Sequence, residues 1–198
     1  MVTVLALRRF IPVSLSVVLF TAIYGCASTG GLQNVTKESY AQKTPGQVLV
    51  LGKVKLRDRG TVGKLTSNYP TLIFAPSPGT NVDSKDLFHK TQYSDYFCLL
   101  MAPGEYRIVQ VRSYFTGFGF QGSLVIPLNL PFKVPSVQAV YIGSILVEYE
   151  HKTKLLELRE WLEHKVTVED RFIEDEKIIR EAYPFLPKEI TREVHGPE

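Results

Sequence analysis

One six-residue stretch has the spacing of a dinucleotide-binding motif. Gly117-Phe118-Gly119-Phe120-Gln121-Gly122 reads G-x-G-x-x-G, in which the glycines let a pyrophosphate approach the backbone. That chemistry needs a helix directly afterwards, because the N–H groups of its first turn hold the phosphates. Ser123-Leu124-Val125-Ile126-Pro127 follows instead, a strand-like run with a proline, and no acid lies near residue 142. We therefore predict a glycine-rich hairpin loop and no cofactor.

The same loop is rich in aromatic residues, and these offer a different kind of chemistry. The four aromatic residues are Tyr114, Phe115, Phe118 and Phe120. Either the rings belong to the core or they form an exposed apolar patch, which a protein partner, a sugar face or a lipid surface can contact. The second interpretation makes residues 114–122 a candidate ligand or partner loop.

Potential metal ligands occur without the spacing of a metal site. The long polar segment from Pro76 to Asp95 offers Asn81, Asp83, Asp86, His89 and Asp95. A calcium loop would also need a central glycine and a distal glutamate, which are absent. The four histidines are His89, His151, His164 and His195. None lies in an H-x-x-x-H pattern or near a cysteine pair, so we predict a solvated loop and no metal site.

Catalytic patterns are equally sparse. Glu148 and Glu150 share a strand face and could form an acid pair, but carboxylates at a strand end are usually solvated. The chain contains no G-x-S-x-G, and no serine or cysteine stands beside a plausible base. We predict no catalytic residue and a protein that is not an enzyme. An enzyme built from scattered residues remains the alternative that one sequence does not reveal.

The first 25 residues have the pattern of a targeting segment. Met1 to Arg9 contains two cations and no acid, and Phe10 to Tyr24 is apolar or small and uncharged. That run fits the apolar region of a signal peptide and is shorter than the roughly 20 residues of a membrane span. It ends in Ile23-Tyr24-Gly25-Cys26.

This ending resembles the lipobox of bacterial lipoproteins. The resemblance implies cleavage between Gly25 and Cys26 and attachment of a diacylglycerol to the Cys26 sulfur, although Tyr24 stands where the family usually has Ala, Ser or Thr. It also implies a location in the bacterial cell envelope, and Ala27 after the cysteine fits the outer membrane. Each buried methylene contributes about 0.8 kcal/mol, so two or three acyl chains hold a protein at a membrane permanently.

A flexible tether is predicted between this anchor and the domain. Residues 26–46 are small and polar, include Gly30-Gly31 and Pro45-Gly46, and lack a periodic apolar pattern. Such a tether of about 20 residues has a root-mean-square span near 25 Å.

Residues 47–187 are predicted to form a mainly β domain. About seven strands alternate with Pro and Gly turns, which is typical of an antiparallel β-sandwich. The predicted strands start at Val48, Thr71, Tyr96, Glu105, Ser123 and Val137, with a continuation at Phe132. Pro127 and Pro131 indicate an edge or bend, and Ala102-Pro103-Gly104 a tight turn. Residues 151–168 fit either a helix or the second arm of a hairpin, and we choose strand.

A C-terminal amphipathic helix is predicted near residues 169–183. Thr167 to Asp170 has capping-box spacing, and Phe172, Ile179 and Tyr183 form an apolar stripe. Its early acids are Glu169, Asp170, Glu174, Asp175 and Glu176, and Arg180 comes late, as the helix dipole favours. Residues 188–198 are predicted to be a frayed tail.

Two short motifs carry a second resemblance. Met101-Ala102-Pro103-Gly104-Glu105-Tyr106 resembles a turn and strand of transthyretin-like, carboxypeptidase-regulatory-like domains, and Val140-Tyr141-Ile142-Gly143 is similar to lipoproteins with such a domain. The resemblance covers about residues 96–184. It implies a transthyretin- or immunoglobulin-like sandwich and no particular activity.

Charge and cysteine content limit the possible partners. The net charge is +3, and removal of Arg8 and Arg9 with the leader leaves 21 cations against 20 acids, so no nucleic-acid partner is predicted. With Cys26 acylated, Cys98 has no cysteine to pair with and is predicted to be a small buried residue.

Three functional hypotheses follow from these observations. The first is a lipid-anchored envelope protein whose domain binds a protein partner at the membrane surface. The second is a module that binds glycan, peptidoglycan or lipid through residues 114–122. The third is an enzyme without a recognisable motif. The sequence does not identify a small-molecule ligand.

Overall fold

The computed structural model describes residues 31–59, 70–78, 87–90, 95–117, 120–154 and 159–196. Within these ranges the chain forms ten strands and two helices. The strands are β1 (Gly31–Leu32), β2 (Val48–Asp58), β3 (Thr71–Pro76), β4 (Leu87–Lys90), β5 (Tyr96–Met101), β6 (Gly104–Gly117), β7 (Phe120–Val134), β8 (Ala139–Lys154), β9 (Arg159–Glu169) and β10 (Thr191–Arg192). The helices are α1 (Lys37–Ala41) and α2 (Phe172–Ala182).

The strands belong to two sheets. Sheet A has the order β1-β4-β3-β6-β7, and sheet B has the order β10-β8-β2-β5, with β9 also paired to β8. The prediction of a mainly β chain with a C-terminal helix is confirmed. The prediction that all pairings are antiparallel is wrong, because β2 and β10 pair with β8, and β1 with β4, in parallel.

Apolar residues of both sheets form one cluster, called here the core cluster. Phe74 of β3 and Phe97 of β5 contact each other edge to face across the sheets, with ring centroids 6.2 Å apart. The glycine at position 52 makes room for Phe97, since a Cβ there would lie 2.5 Å from the Cζ of that ring. The predicted turn between β5 and β6 is confirmed, and the Tyr106 hydroxyl donates to the Ala102 carbonyl oxygen within it.

Residues 151–154 and 159–169 lie in strands and not in a helix. β8 and β9 pair antiparallel from Ser144↔Glu169 to Lys154↔Arg159. The hairpin prediction is therefore confirmed, but residues 151–154 lie in β8 and are not the turn. The polar segment 76–95 also differs from the prediction, because β4 lies within it and pairs with β3.

Residues 31–46 do not form the predicted structureless tether. β1 pairs with β4, α1 begins at the Thr36 capping box, and Val35 is 5% exposed. The Val35 N–H donates to the Cys98 carbonyl oxygen at 2.8 Å, and the Cys98 N–H donates to Asn34 Oδ1 at 3.0 Å. The segment thus covers the outer edge of β5. Composition alone missed this because two residues of strand are too short to show a period.

The C-terminal residues also contradict the prediction of a frayed tail. β10 pairs with β8, and the Arg180 guanidinium donates to the carbonyl oxygens of Pro187 and Lys188 at 3.0 and 2.9 Å. β10 continues along β8 where β9 ends, and Gly143 (φ +111°) lies at that junction. A Cβ on Gly143 would lie 2.9 Å from Val168 Cγ1.

Helix α2 lies on the face of sheet B that points away from sheet A. The apolar residues there form a second group, called here the outer cluster. Its buried members are Val35, Leu49, Leu51, Tyr96, Cys98, Ala139, Tyr141 and Ile179. The predicted stripe of Phe172, Ile179 and Tyr183 is confirmed as the packed face of α2. Among the described residues, neither helix is long and apolar enough to cross a bilayer.

The start of α2 differs from the predicted capping box. Thr167 lies in β9, and the residue before the helix, Arg171, makes no side-chain cap. Asp170 Oδ1 accepts the Phe172 N–H at 3.1 Å instead. Thr167 does not cap the helix, because β9 continues to Glu169 and Thr167 is paired with β8.

Candidate functional site

A buried carboxylate joins helix α2 to sheet B. Asp175 is 2% exposed and comes from the first half of α2, on the same side as Ile179. Its Oδ2 accepts the Tyr141 hydroxyl at 2.6 Å, and its Oδ1 accepts the Tyr96 hydroxyl at 2.9 Å. The Lys53 ammonium lies 3.4 Å from the same Oδ1. Three donors from β2, β5 and β8 therefore meet one helical acceptor.

The donors also contact one another. Lys53 Nζ donates to the Tyr96 hydroxyl oxygen at 2.9 Å and lies 4.6 Å from the centroid of that ring. Because the Lys53 side chain is 20% exposed, the ammonium connects the buried carboxylate to solvent. Hydrogen bonds in such a low-dielectric setting reinforce each other, and an unmatched group there would be costly.

Aromatic and basic groups enclose the network from the C-terminal side. The Phe172 ring lies against Tyr141 at a centroid distance of 5.3 Å, and the Arg192 guanidinium lies 5.6 Å above Phe172. Arg192 also forms an ion pair with Asp170 at 3.4 Å. These contacts bring β10 and the first turn of α2 together over the carboxylate.

The protonation equilibria agree with this arrangement. Burial, followed by the hydrogen bond to Asp175, raises the pKa of Tyr141 well above its ordinary value. Burial also raises the pKa of Tyr96, against the opposing effect of the Lys53 hydrogen bond. Burial alone would lower the pKa of Lys53, but its contacts with Tyr96 and Asp175 outweigh burial and raise it. All three groups therefore keep their protons in the fold.

The role that this network can perform is to hold helix α2 on sheet B. Both carboxylate oxygens accept hydrogen bonds, and Asp175 is almost entirely removed from solvent, so a substrate has no access to it. Removing one partner of such a buried pair typically costs several kcal/mol, about 3–5. The geometry supports docking of α2 on sheet B.

Sequence reasoning noticed Asp175 only as an early acid of the helix. A stronger signal was available, because Asp175 lies three residues after Phe172 and four before Ile179. An acid inside an apolar helical stripe predicts a buried, partnered carboxylate.

The predicted aromatic loop is the end of the β6–β7 hairpin. β6 and β7 pair as far as Gly117↔Phe120, and Phe118 lies outside the described residues. The backbone places Tyr114, Phe115 and Phe120 in this ribbon. A strand follows the glycine motif, so the dinucleotide interpretation is excluded and the hairpin is confirmed.

The residues that could in principle bind a metal were predicted to form no metal site. Asn81, Asp83 and Asp86 lie outside the described residues, and His89 lies in β4. His164 lies in β9, and His195 Nε2 is 3.3 Å from Glu193 Oε2. The described ranges contain no group of three or more His, Cys, Asp or Glu side chains arranged to hold a metal ion.

The proposed acid pair is accounted for by its neighbours. Glu148 Oε1 accepts the Arg57 guanidinium at 3.2 Å across the β2–β8 pairing. Glu148 and Glu150 line a groove of about 140 Å³ together with Arg59, His164 and Lys165. Basic side chains thus lie beside both carboxylates. This arrangement is typical of a solvated strand face and not of a general acid and base.

Cys98 is buried, as predicted, and burial raises the pKa of its thiol. Such a thiol stays protonated and is a poor nucleophile. Cys26 and Gly25 lie outside the described residues.

A larger groove lies where the C-terminal segment meets sheet A. Its volume is about 420 Å³, and Glu105, Lys133 and His195 contribute charged or titratable groups beside Phe132. The Ser77 N–H donates to the Glu105 carbonyl oxygen at one wall. The mixed charges do not select one ligand class.

Comparison with protein-family models, with curated proteins and with solved structures finds no match to this chain. The function therefore has to be argued from the residues themselves.

Proposed function

We propose that this protein is a lipoprotein of the bacterial cell envelope, anchored in the outer membrane through acyl chains on Cys26, and that its domain is a non-enzymatic binding module. The observation that carries the proposal is the order of features at the N-terminus. A charged start and an apolar run lead to Ile23-Tyr24-Gly25-Cys26, and regular structure is present from Gly31 onward. The proposed leader therefore ends before the first described strand, which leaves the domain intact after cleavage.

The architecture of the domain fits this role. We infer that sheets A and B form a sandwich of the transthyretin- or immunoglobulin-like kind. The core cluster supports this inference, since it takes side chains from β3, β6 and β7 on one side and β2, β5 and β8 on the other. A self-contained core of this kind lets the domain fold without its anchor.

Attachment is tested by fractionating cells that produce the wild-type protein or Cys26→Ala. The wild type is expected in the outer membrane, with an N-terminal peptide that begins at Cys26 and carries the mass of its acyl chains. Cys26→Ala is expected to lose both the acyl mass and the cleavage before residue 26. Cys98→Ala is the matched control and should leave both unchanged. Wild-type protein with a bare thiol and an intact leader would overturn the proposal.

The binding role is tested by crosslinking intact envelopes. A reproducible crosslinked envelope protein, lost when Cys26→Ala displaces the domain from the membrane, is the expected result. Recovery of the uncrosslinked protein alone with several crosslinkers would contradict a protein partner.

A second candidate ligand class is favoured by one observation. Within the described residues, the pairing of β3 with β6 ends at Thr71↔Arg112, whereas β6 and β7 remain paired to Gly117↔Phe120. In this part of the chain the hairpin continues about five residues past the last β3 pair as a ribbon with an aromatic sequence. Such a ribbon suits glycan, peptidoglycan or lipid.

This candidate predicts that Phe118→Ala together with Phe120→Ala reduces retention on cell-wall material and on liposomes at least about ten-fold, since each lost aromatic contact costs about 1 kcal/mol or more. Val125→Ala, at an exposed position of the same strand, is the control. Unchanged retention of the double variant would remove this candidate.

A further inference from the structure

The folded part of the chain begins very close to the proposed anchor. Gly31 and Leu32 pair with Phe88 and His89 of β4 at the edge of sheet A. Three residues later, the backbone N–H of Val35 bonds to β5 at the edge of sheet B. The chain is thus attached to both sheets within five residues of its first described position.

Covalent geometry then limits how far the domain can stand from its anchor. Five Cα–Cα steps join Cys26 to Gly31, and each covers at most about 3.6 Å, so the two Cα atoms are at most roughly 18 Å apart. A tether of about 20 residues would have given an average span near 25 Å and a much larger maximum. The headgroup layer of one leaflet is itself about 5–7 Å thick.

From this constraint we propose that the domain rests on the bilayer through one particular side, formed by α1 and the β4 and β5 edges, called here the anchor side. The inference deepens the proposed function and rests on acylation of Cys26. Its occupant is a phospholipid surface, because at most roughly 18 Å of chain separates Gly31 from the acylated residue and about 5–7 Å of that span lies within the headgroup layer.

The side chains of the anchor side suit a membrane interface. The half-buried Tyr40 ring stacks on Phe185 at 5.2 Å, and Lys43 Nζ lies 5.1 Å from the Tyr40 centroid. Tyrosine and lysine both place an apolar body against lipid and a polar end in water. Lys37, exposed on α1, adds a second positive charge for anionic headgroups.

The strand order identifies the opposite side. Residues 31–35 join the β4 edge to the β5 edge, so these two edges lie together. The far edges are then β7 in sheet A and β9 together with β10 in sheet B. Lys165 is exposed on β9, and it matches Lys37 in side chain and exposure while lying on the side away from the anchor.

The test compares these two lysines in the full, acylated protein. Lys37→Cys and Lys165→Cys are each labelled with an environment-sensitive fluorophore and reconstituted in vesicles of phosphatidylethanolamine and phosphatidylglycerol that contain a spin-labelled lipid. Cys98 is buried, so it does not compete for the label. Quenching at residue 37 is expected to be about three-fold or more stronger than at residue 165, since quenching by a spin-labelled lipid falls steeply with distance from the bilayer and the two residues lie on opposite sides of the domain.

A spacer provides the second measurement. Insertion of about 20 Gly and Ser residues after Gly30 restores a long tether and is expected to remove most of the difference between the two labels. Equal quenching at both positions, or a difference that the spacer leaves unchanged, would overturn the anchor side. Mass analysis of the same samples separates the two proposals. Acylated Cys26 with equal quenching contradicts only the anchor side, whereas a bare Cys26 contradicts both.

Discussion

The two faces of sheet B bury their side chains in different ways. On the face toward sheet A, the core cluster consists of aliphatic and aromatic residues without a carboxylate or ammonium among its members. On the other face, the outer cluster surrounds Asp175, which accepts hydrogen bonds from two tyrosines and faces Lys53. The strands of sheet B therefore contact sheet A through apolar packing. On their other face they contact α2 through apolar packing and hydrogen bonds.

This difference has a physical reason. Two sheets meet over a broad surface to which several strands of each contribute side chains, so volume and complementarity fix their packing. A helix of three turns on a flat apolar surface can slide or rotate at small cost. Three donors from three strands converge on one buried acceptor, and all three are satisfied in only one position of the helix. We infer that the polar network fixes α2 in that position.

The largest expected effect comes from a cavity in the core cluster. Phe74 is fully buried and contacts Phe97 and Phe132 at centroid distances of 6.2 and 5.9 Å. Phe74→Ala should lower the free energy of unfolding by about 4 kcal/mol, measured by urea denaturation with an unchanged slope. Phe74→Leu should cost less than half as much, and Val125→Ala almost nothing. A loss below about 1.5 kcal/mol for Phe74→Ala would show that the two sheets do not share a tight core.

The next effect is loss of the acceptor in the outer cluster. Asp175→Ala removes the acceptor of the Tyr96 and Tyr141 hydroxyl protons and should lower the free energy of unfolding by about 3 kcal/mol, at the low end because Lys53 can rehydrate. Asp175→Asn retains one oxygen and should cost less.

A double-mutant cycle sharpens this prediction. After Asp175→Ala, the further change Tyr141→Phe should cost much less than it does alone, with a coupling of about 1 kcal/mol or more. Additive effects would show that the 2.6 Å contact contributes little and that α2 docks through apolar packing alone.

A smaller effect is expected at the junction of β9 and β10 beside β8. Gly143→Ala places a Cβ 2.9 Å from Val168 Cγ1 at a positive φ and should cost about 2 kcal/mol. Gly46 has φ +88° with no atom within 4 Å, so Gly46→Ala should cost about 1 kcal/mol or less. Thermal unfolding of both variants isolates the steric part. Equal losses would mean that Val168 moves aside.

The smallest effect concerns alkaline pH. The pKa values of Tyr96, Tyr141 and Lys53 are raised in the fold, so their contribution to stability is full below about pH 10, their unfolded value, and is lost as the pH rises beyond it. Unfolding free energies measured from pH 9 to 11 should therefore decline. Tyr141→Phe should make that decline shallower, by an amount that approaches about 1.4 kcal/mol per pH unit, the value for one proton, at the alkaline end of the range. An unchanged slope would contradict a buried, protonated Tyr141.

The sequence predicted the longer elements because they carry their own periodic signal. β2, β3, β5 and β6 were recognised from runs of β-branched and aromatic residues, and α2 from an apolar stripe that ends before Pro184. The edge position of β7 follows from Pro127 and Pro131, since a proline has no N–H to give to a second neighbour.

Three short strands escaped sequence analysis for one shared reason. β1, β4 and β10 contain two to four residues and exist only because a longer strand offers them a free edge. Because these strands form, two sequence predictions are wrong: residues 31–46 are not a structureless tether, and residues 191–192 are not part of a frayed tail. The parallel pairing of β2 with β8 is likewise a long-range choice that no local pattern encodes.

By itself, the sequence determined the mainly β character, the C-terminal helix and the burial of Cys98. Only the tertiary structure decided which edges the short strands cover, that Asp175 is buried, and how close to Cys26 the folded chain begins. Periodicity and composition report the environment of a residue's near neighbours along the chain. Edges, buried hydrogen bonds and the side turned toward an anchor depend on residues that are distant in sequence and meet only after folding.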